Sequence, residues 1–151
     1  MTLEEQQVVN LKLSKRLKEL GMKQESLFHW YRYWKFPNVT HPDYEKEEDW
    51  VSIEDELYYS LQKRDSTGHS KLIASAFTVA ELGEMLPVEL ENGEHISFTF
   101  SQGKGIAHCA YEVINFDTKE VEQIPKGMIS ADTEANARAK VLVYLIENEL
   151  I

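Results

Sequence analysis

The chain carries a single cysteine, Cys109, so no intrachain disulfide can form and a disulfide-stapled secreted scaffold is excluded. Long apolar runs are missing too: no stretch approaches the length of a membrane span, and Met1-Thr2-Leu3-Glu4-Glu5 has neither the basic nor the apolar region of a signal peptide. A cytoplasmic protein is the expectation. Positive charge is also scarce. Against 26 Asp and Glu stand 16 Lys and Arg, giving a formal charge of −10 that repels phosphate backbones and disfavours generic nucleic-acid binding. Low-complexity segments, internal repeats and linkers are likewise missing. With 151 residues, 42% of them hydrophobic, one core is expected and residues 1–151 are read as a single globular domain.

What is there begins with helix signals. Thr2 and Glu5 have capping-box spacing, and Val9, Leu13, Leu17 and Leu20 recur at helical spacing before Gly21, predicting an amphipathic helix over 3–20. Residues 27–34, Leu27-Phe28-His29-Trp30-Tyr31-Arg32-Tyr33-Trp34, read as an aromatic strand with something to bury on both faces. Pro37, Asn38, His41 and Pro42 then break regular structure, and the acidic segment within 43–49 reads as an exposed excursion. Ser52 with Asp55 has capping spacing, and Ile53, Leu57 and Leu61 at intervals of four suggest the helix that follows. Asp65 to Gly68 form a turn, and 72–77 is a short apolar strand.

Thr78-Val79-Ala80-Glu81 has capping-box form and opens a short helix over 79–86 that Pro87 stops. Ile96, Phe98 and Phe100 alternate with polar residues, and Gln102-Gly103-Lys104-Gly105 joins this strand to a second over 106–114 as a hairpin. A further short strand lies near 121–124 or 128–129. The last element is a helix with Asp132 as N-cap, Glu134 in its first turn and Ala135, Ala139, Leu142, Leu145 and Ile146 on one face. The fold class is α+β: an antiparallel sheet of about four to five strands with N-terminal, short central and C-terminal helices packed against it.

Chemistry-bearing patterns are few. The five histidines show no HxH or HExxH spacing, and His108 and Cys109 point to opposite faces of their strand, so no metal site and no cofactor are expected. Cys109 with His95 from the neighbouring strand is a candidate nucleophile and base, although a lone strand cysteine is a packing residue by default. Ser101 to Gly105 superficially resembles a phosphate loop but lacks the Walker pattern, and a hairpin turn explains its glycines. Residues 18–26 have a helix-turn-helix outline, yet a strand follows where a recognition helix should be. In so acidic a chain no carboxylate pair stands out, and no catalytic residue is nominated.

The aromatic strand holds more large side chains than one buried face needs. Trp30, Tyr31, Arg32 and Trp34 are therefore candidate partner- or ligand-binding residues, with Lys104 and Arg138 as candidate anion contacts.

Three blocks of sequence, Ala76 to Pro87, Asp132 to Asn148, and Leu17-Lys18-Glu19-Leu20-Gly21 with the aromatic strand, resemble small proteins encoded by bacteriophages and prophages. The resemblance covers most of the chain except the acidic middle and implies a genomic setting and no reaction. Small phage accessory proteins often act by binding a host protein or a signalling molecule of a defence system. The expectation is a non-enzymatic protein engaging a host bacterial protein, as a counter-defence inhibitor. The alternative is a protein that sequesters a nucleotide or another small anionic or planar ligand. Homo-oligomers are compatible with either.

Overall fold

The computed structural model describes residues 3–35, 51–59, 70–88, 90, 95–103, 105–114 and 117–151. The acidic segment within 43–49, the turn at 65–68 and Lys104 lie outside the described residues. Among the described residues four helices and six strands follow one another as α1 (Leu3–Gln7), α2 (Leu11–Glu19), β1 (Phe28–Lys35), β2 (Val51–Tyr59), β3 (Ser70–Ser75), α3 (Val79–Met85), β4 (His95–Gly103), β5 (Ile106–Ile114), β6 (Val121–Ala131) and α4 (Glu134–Glu147). The α+β class holds, with every strand pair antiparallel. The expected single sheet does not: there are two three-stranded sheets, ordered β2-β1-β3 and β4-β5-β6. The aromatic strand β1 is the centre of the first and has both edges occupied, and β4, β5 and β6 form the second as a meander.

The expected N-terminal helix is broken at Val8-Val9-Asn10. Val8 bridges Thr78, and the Val9 N–H donates to the Phe77 carbonyl at 2.9 Å, so this pair joins a β-like contact in place of the helical ladder. Asn10 then caps α2, its side-chain oxygen accepting from the Leu13 N–H at 3.0 Å. Helix α2 ends where the glycine placed it: Gly21 has φ +86°, its N–H donates to the Lys18 carbonyl, and the Met22 N–H donates to Leu17. These two bonds are those of a Schellman motif.

A second correction concerns 52–61, read as helix and found as strand β2 over Val51–Tyr59. A spacing of four is even, so Ile53 and Leu57 share one side of a strand as readily as one side of a helix. The β-branched and aromatic residues of this segment favour the strand. A third concerns β6, where the alternatives 121–124 and 128–129 are two parts of one strand. Its register shifts between the residues facing Cys109 and Tyr111. The short helix α3 carries the expected capping box between Thr78 and Glu81.

The main core lies between α4 and β5, with α2 and α3 contributing. Leu17, Phe77, Leu82, Tyr111, Leu142 and Leu145 are all buried within it. Ala135, Ala137 and Ala139 on α4 are fully buried, small enough to let neighbouring elements approach closely. The N-cap of α4 is Thr133, which accepts from the Asn136 N–H at 3.2 Å, and not Asp132 as expected. Asp132 instead accepts from the Asn136 side-chain amide at 2.7 Å. The oxygen of that buried amide takes the Asn10 N–H at 2.8 Å, which ties the start of α2 to the start of α4.

A smaller cluster of Val8, Trp30 and Ala76 sits under the first sheet. Nearby, Ser75 is fully buried and its hydroxyl has no hydrogen-bond partner among the described residues. A buried unpaired hydroxyl is destabilising, so Ser75→Ala is expected to raise stability by about 1 kcal/mol. A urea-denaturation midpoint shifted upward at constant slope would bear this out, and a loss of stability would show that the hydroxyl is bonded in solution.

Candidate functional site

The nominated residues fall into two places. Trp30, Tyr31, Arg32 and Trp34 lie on β1, whereas Arg138 lies on α4 beside the β4–β5 hairpin that contains Lys104.

On β1, Trp30 is 9% exposed and its indole N–H donates to the Val9 carbonyl at 3.0 Å. Its ring packs with Val8 and Ala76, leaving no face on which a planar ligand could stack. Tyr31 is half-buried, with the His29 ring edge-on at 6.3 Å between centroids. Burial holds the His29 imidazole below its ordinary pKa, partly offset by the backbone of Gln24 and the charge of Glu81. Arg32 is half-buried and stands opposite Asp55 on β2 and Lys71 on β3. Trp34 stands opposite Ser52.

At the other place, Arg138 reaches back one turn to Glu134. Its Nε donates to Glu134 Oε1 at 2.8 Å, and its Nη2 lies 2.6 Å from the same oxygen. The pair is largely covered, with side-chain exposures of 18% and 25%. The guanidinium lies 4.8 Å from the centre of the Phe98 ring and 5.9 Å from that of Phe100, a cation–π arrangement on β4. Phe98 in turn meets Tyr111 edge-on at 5.2 Å. With its carboxylate partner and aromatic floor already in place, Arg138 organises the surface and is poorly placed to seize a second anion.

The nucleophile reading of Cys109 does not survive this geometry. The thiol is fully buried, and burial pushes it up to about 11, with Arg138 pulling it down and Glu134 pushing it up less strongly. It is therefore protonated at neutral pH. Its cross-strand neighbour is Phe100, and His95 lies five residues further along β4, roughly 17 Å away at the strand rise. His108, on the opposite face, shares a hydrogen bond of 2.8 Å with the Ser130 hydroxyl. Tyr111 is likewise held protonated: burial raises it to about 12 against the pull of Arg138, and its hydroxyl donates to the Pro87 carbonyl at 2.9 Å. Among the described residues no group of three His, Cys, Asp or Glu side chains could hold a metal ion.

Beside the Arg138–Glu134 pair lies an open cleft of about 390 Å³. Helix α1 supplies Gln6 and Gln7, the β4–β5 hairpin supplies Gln102 and Gly105, and the start of α4 supplies Asp132, Thr133 and Glu134, with Val79 as the apolar wall. Gly105 adopts φ +78°, as a two-residue hairpin between Gly103 and Ile106 requires. The polar lining thus offers three primary amides and two carboxylates. Arg138 itself does not line the cleft, and the sequence carries no signal that α1 closes it beside the hairpin, because that closure depends on the break at Val8-Val9.

The fold defines an α+β protein of two antiparallel sheets, and among its described residues no helix is long and apolar enough to cross a membrane. Compared with family models, curated proteins and solved structures, the chain matches none.

Proposed function

We propose that this chain is a non-enzymatic binding protein of phage or prophage type that engages a host protein as a counter-defence inhibitor, with the cleft between α1, the β4–β5 hairpin and α4 as its contact. The supporting observation is the lining of that cleft. Gln6, Gln7 and Gln102 offer donors and acceptors suited to peptide groups, and Asp132 supplies the charge that a Lys or Arg side chain would meet, the Glu134 carboxylate being already paired with Arg138. The volume suits one long side chain and its flanking backbone. The net charge of −10 draws a basic surface toward the protein over the same range in which it repels nucleic acid.

The test places a cation in the cleft without touching its structural bonds. Gln7 is exposed at the end of α1, so Gln7→Lys should leave folding unchanged. Tagged wild-type and variant proteins are each purified from the same bacterial host and weighed by native mass spectrometry. A stoichiometric host protein retained by the wild type and lost from Gln7→Lys, with wild-type binding weakened by salt, is the expected result. Equal retention by both would remove the cleft as the contact.

A further inference from the structure

Among the described residues the two sheets have four edge strands, and three of them are blunted in ways that discourage further strand pairing. β2 carries Glu54, Asp55 and Glu56, and β3 is only six residues long and carries Lys71; each has a register break against β1. β6 carries Glu122, Pro125 and Lys126 and has its own break against β5. β4 is different. His95 to Gly103 runs nine residues in unbroken register with β5, contains no Asp, Glu, Lys, Arg or Pro, and among the described residues pairs on one side only.

We infer that the free edge of β4 pairs with β4 of a second copy of this chain, antiparallel about a two-fold axis at Thr99, joining two three-stranded sheets into one of six. The occupant follows from the order of residues. Ser97-Phe98-Thr99-Phe100-Ser101 reads the same in both directions. An antiparallel self-pairing centred on Thr99 therefore sets Thr99 against the partner's Thr99, Phe98 against the partner's Phe100, and Ser97 against the partner's Ser101. Aromatic–aromatic and Thr–Thr pairs are among the favourable cross-strand combinations, and a two-fold interface is self-complementary in this way.

Two further observations agree. Phe100 is 38% exposed at this edge although it sits on the face of β4 that carries Phe98 and lies under Arg138 of α4, and the partner's Phe98 would cover it. In a chain of formal charge −10, copies repel one another, so association needs a strip free of charge, which β4 supplies. An edge of nine residues buries less than a standard stable interface, so a micromolar, reversible dimer is expected.

Sedimentation equilibrium of the full chain, over a range of concentration and salt, tests the inference. The wild type should be a monomer–dimer system that tightens as salt screens the repulsion. That response is the opposite of the one expected for a basic partner in the cleft. Thr99→Lys sets two like charges face to face across the axis and should weaken self-association by about tenfold or more, as should Thr99→Glu. Mixing the two variants in equal amounts should restore a dimer of one Lys and one Glu chain, visible by native mass spectrometry, which a merely misfolded variant could not do. A wild type that stays monomeric at every concentration reached, or a dimer that neither variant weakens, would overturn the proposal. Thr99 does not line the cleft and Gln7 is not on β4, so this test and that of the cleft fail independently.

Discussion

Replacing Trp30 by alanine is expected to destabilise the protein by about 3–5 kcal/mol, the range for deleting a large buried aromatic side chain. The ring is held against Val8 and Ala76, with Leu11, Phe28 and Ile73 packed around that cluster, so its removal leaves a cavity where the first sheet meets the N-terminal segment. The indole N–H bond to the Val9 carbonyl is lost as well, although that carbonyl keeps the Ser14 hydroxyl at 3.3 Å and is not left bare. Domains of this size are stable by only about 5–15 kcal/mol, so Trp30→Ala should show a strongly lowered urea midpoint and melting temperature. Trp30→Phe fills most of the space and loses mainly the hydrogen bond, at about 1–2 kcal/mol. The pair of variants also separates core from contact. If Trp30 acts only in the core, Trp30→Phe keeps any host partner, whereas a folded Trp30→Phe protein that loses its partner would return β1 to the binding surface.

That distinction marks where sequence reading stopped. The surplus of aromatics on β1 points to exposure of some of them, and for Trp30 that expectation fails, while Tyr31 and Arg32 are half-buried. In the fold β1 is the middle strand of its sheet, and the Val8-Val9 turn comes up beneath it to take the indole N–H. The valines that would have continued a helix are the ones that break it, and nothing in their spacing distinguishes the two outcomes. Where local chemistry decides, the sequence is legible: Gly21 ends α2, Thr78 and Glu81 cap α3, and Gly105 takes the positive φ of the β4–β5 turn. Where a residue's role depends on a distant segment, it did not. Asn136 gave no signal, yet it holds the starts of α2 and α4 together across 126 residues of sequence. The Ser97–Ser101 palindrome was visible throughout but acquires meaning only once β4 is known to be an edge strand.

Glu81 shows how one locally legible residue also carries a long-range task, and its removal is the second large effect expected. Its Oε2 accepts from the Thr78 N–H at 2.7 Å, the Thr78 hydroxyl at 2.9 Å and the Ser26 hydroxyl at 3.0 Å, while Oε1 accepts from the Leu27 N–H at 3.0 Å. One carboxylate therefore caps α3 and clips the entrance of β1 to it. Glu81→Ala is expected to cost about 2–3 kcal/mol, with the charge-assisted bonds discounted because the site is partly open to water. Glu81→Gln keeps an acceptor and should cost about half as much.

The pH dependence gives a sharper test. Burial alone would raise the Glu81 pKa, but the bonds from Thr78, Leu27 and Ser26 outweigh it and hold the carboxyl below its ordinary value of 4.5. A carboxyl whose folded pKa is depressed contributes stability that is fully present above the unfolded value and lost as pH falls through the folded one. The gap in urea midpoint between wild type and Glu81→Gln should therefore stay constant from neutral pH down to about 5 and close below 4.5. A gap that persisted unchanged well into acid would mean that the four bonds do not depend on the charge, and that Glu81 caps α3 as a neutral acceptor would.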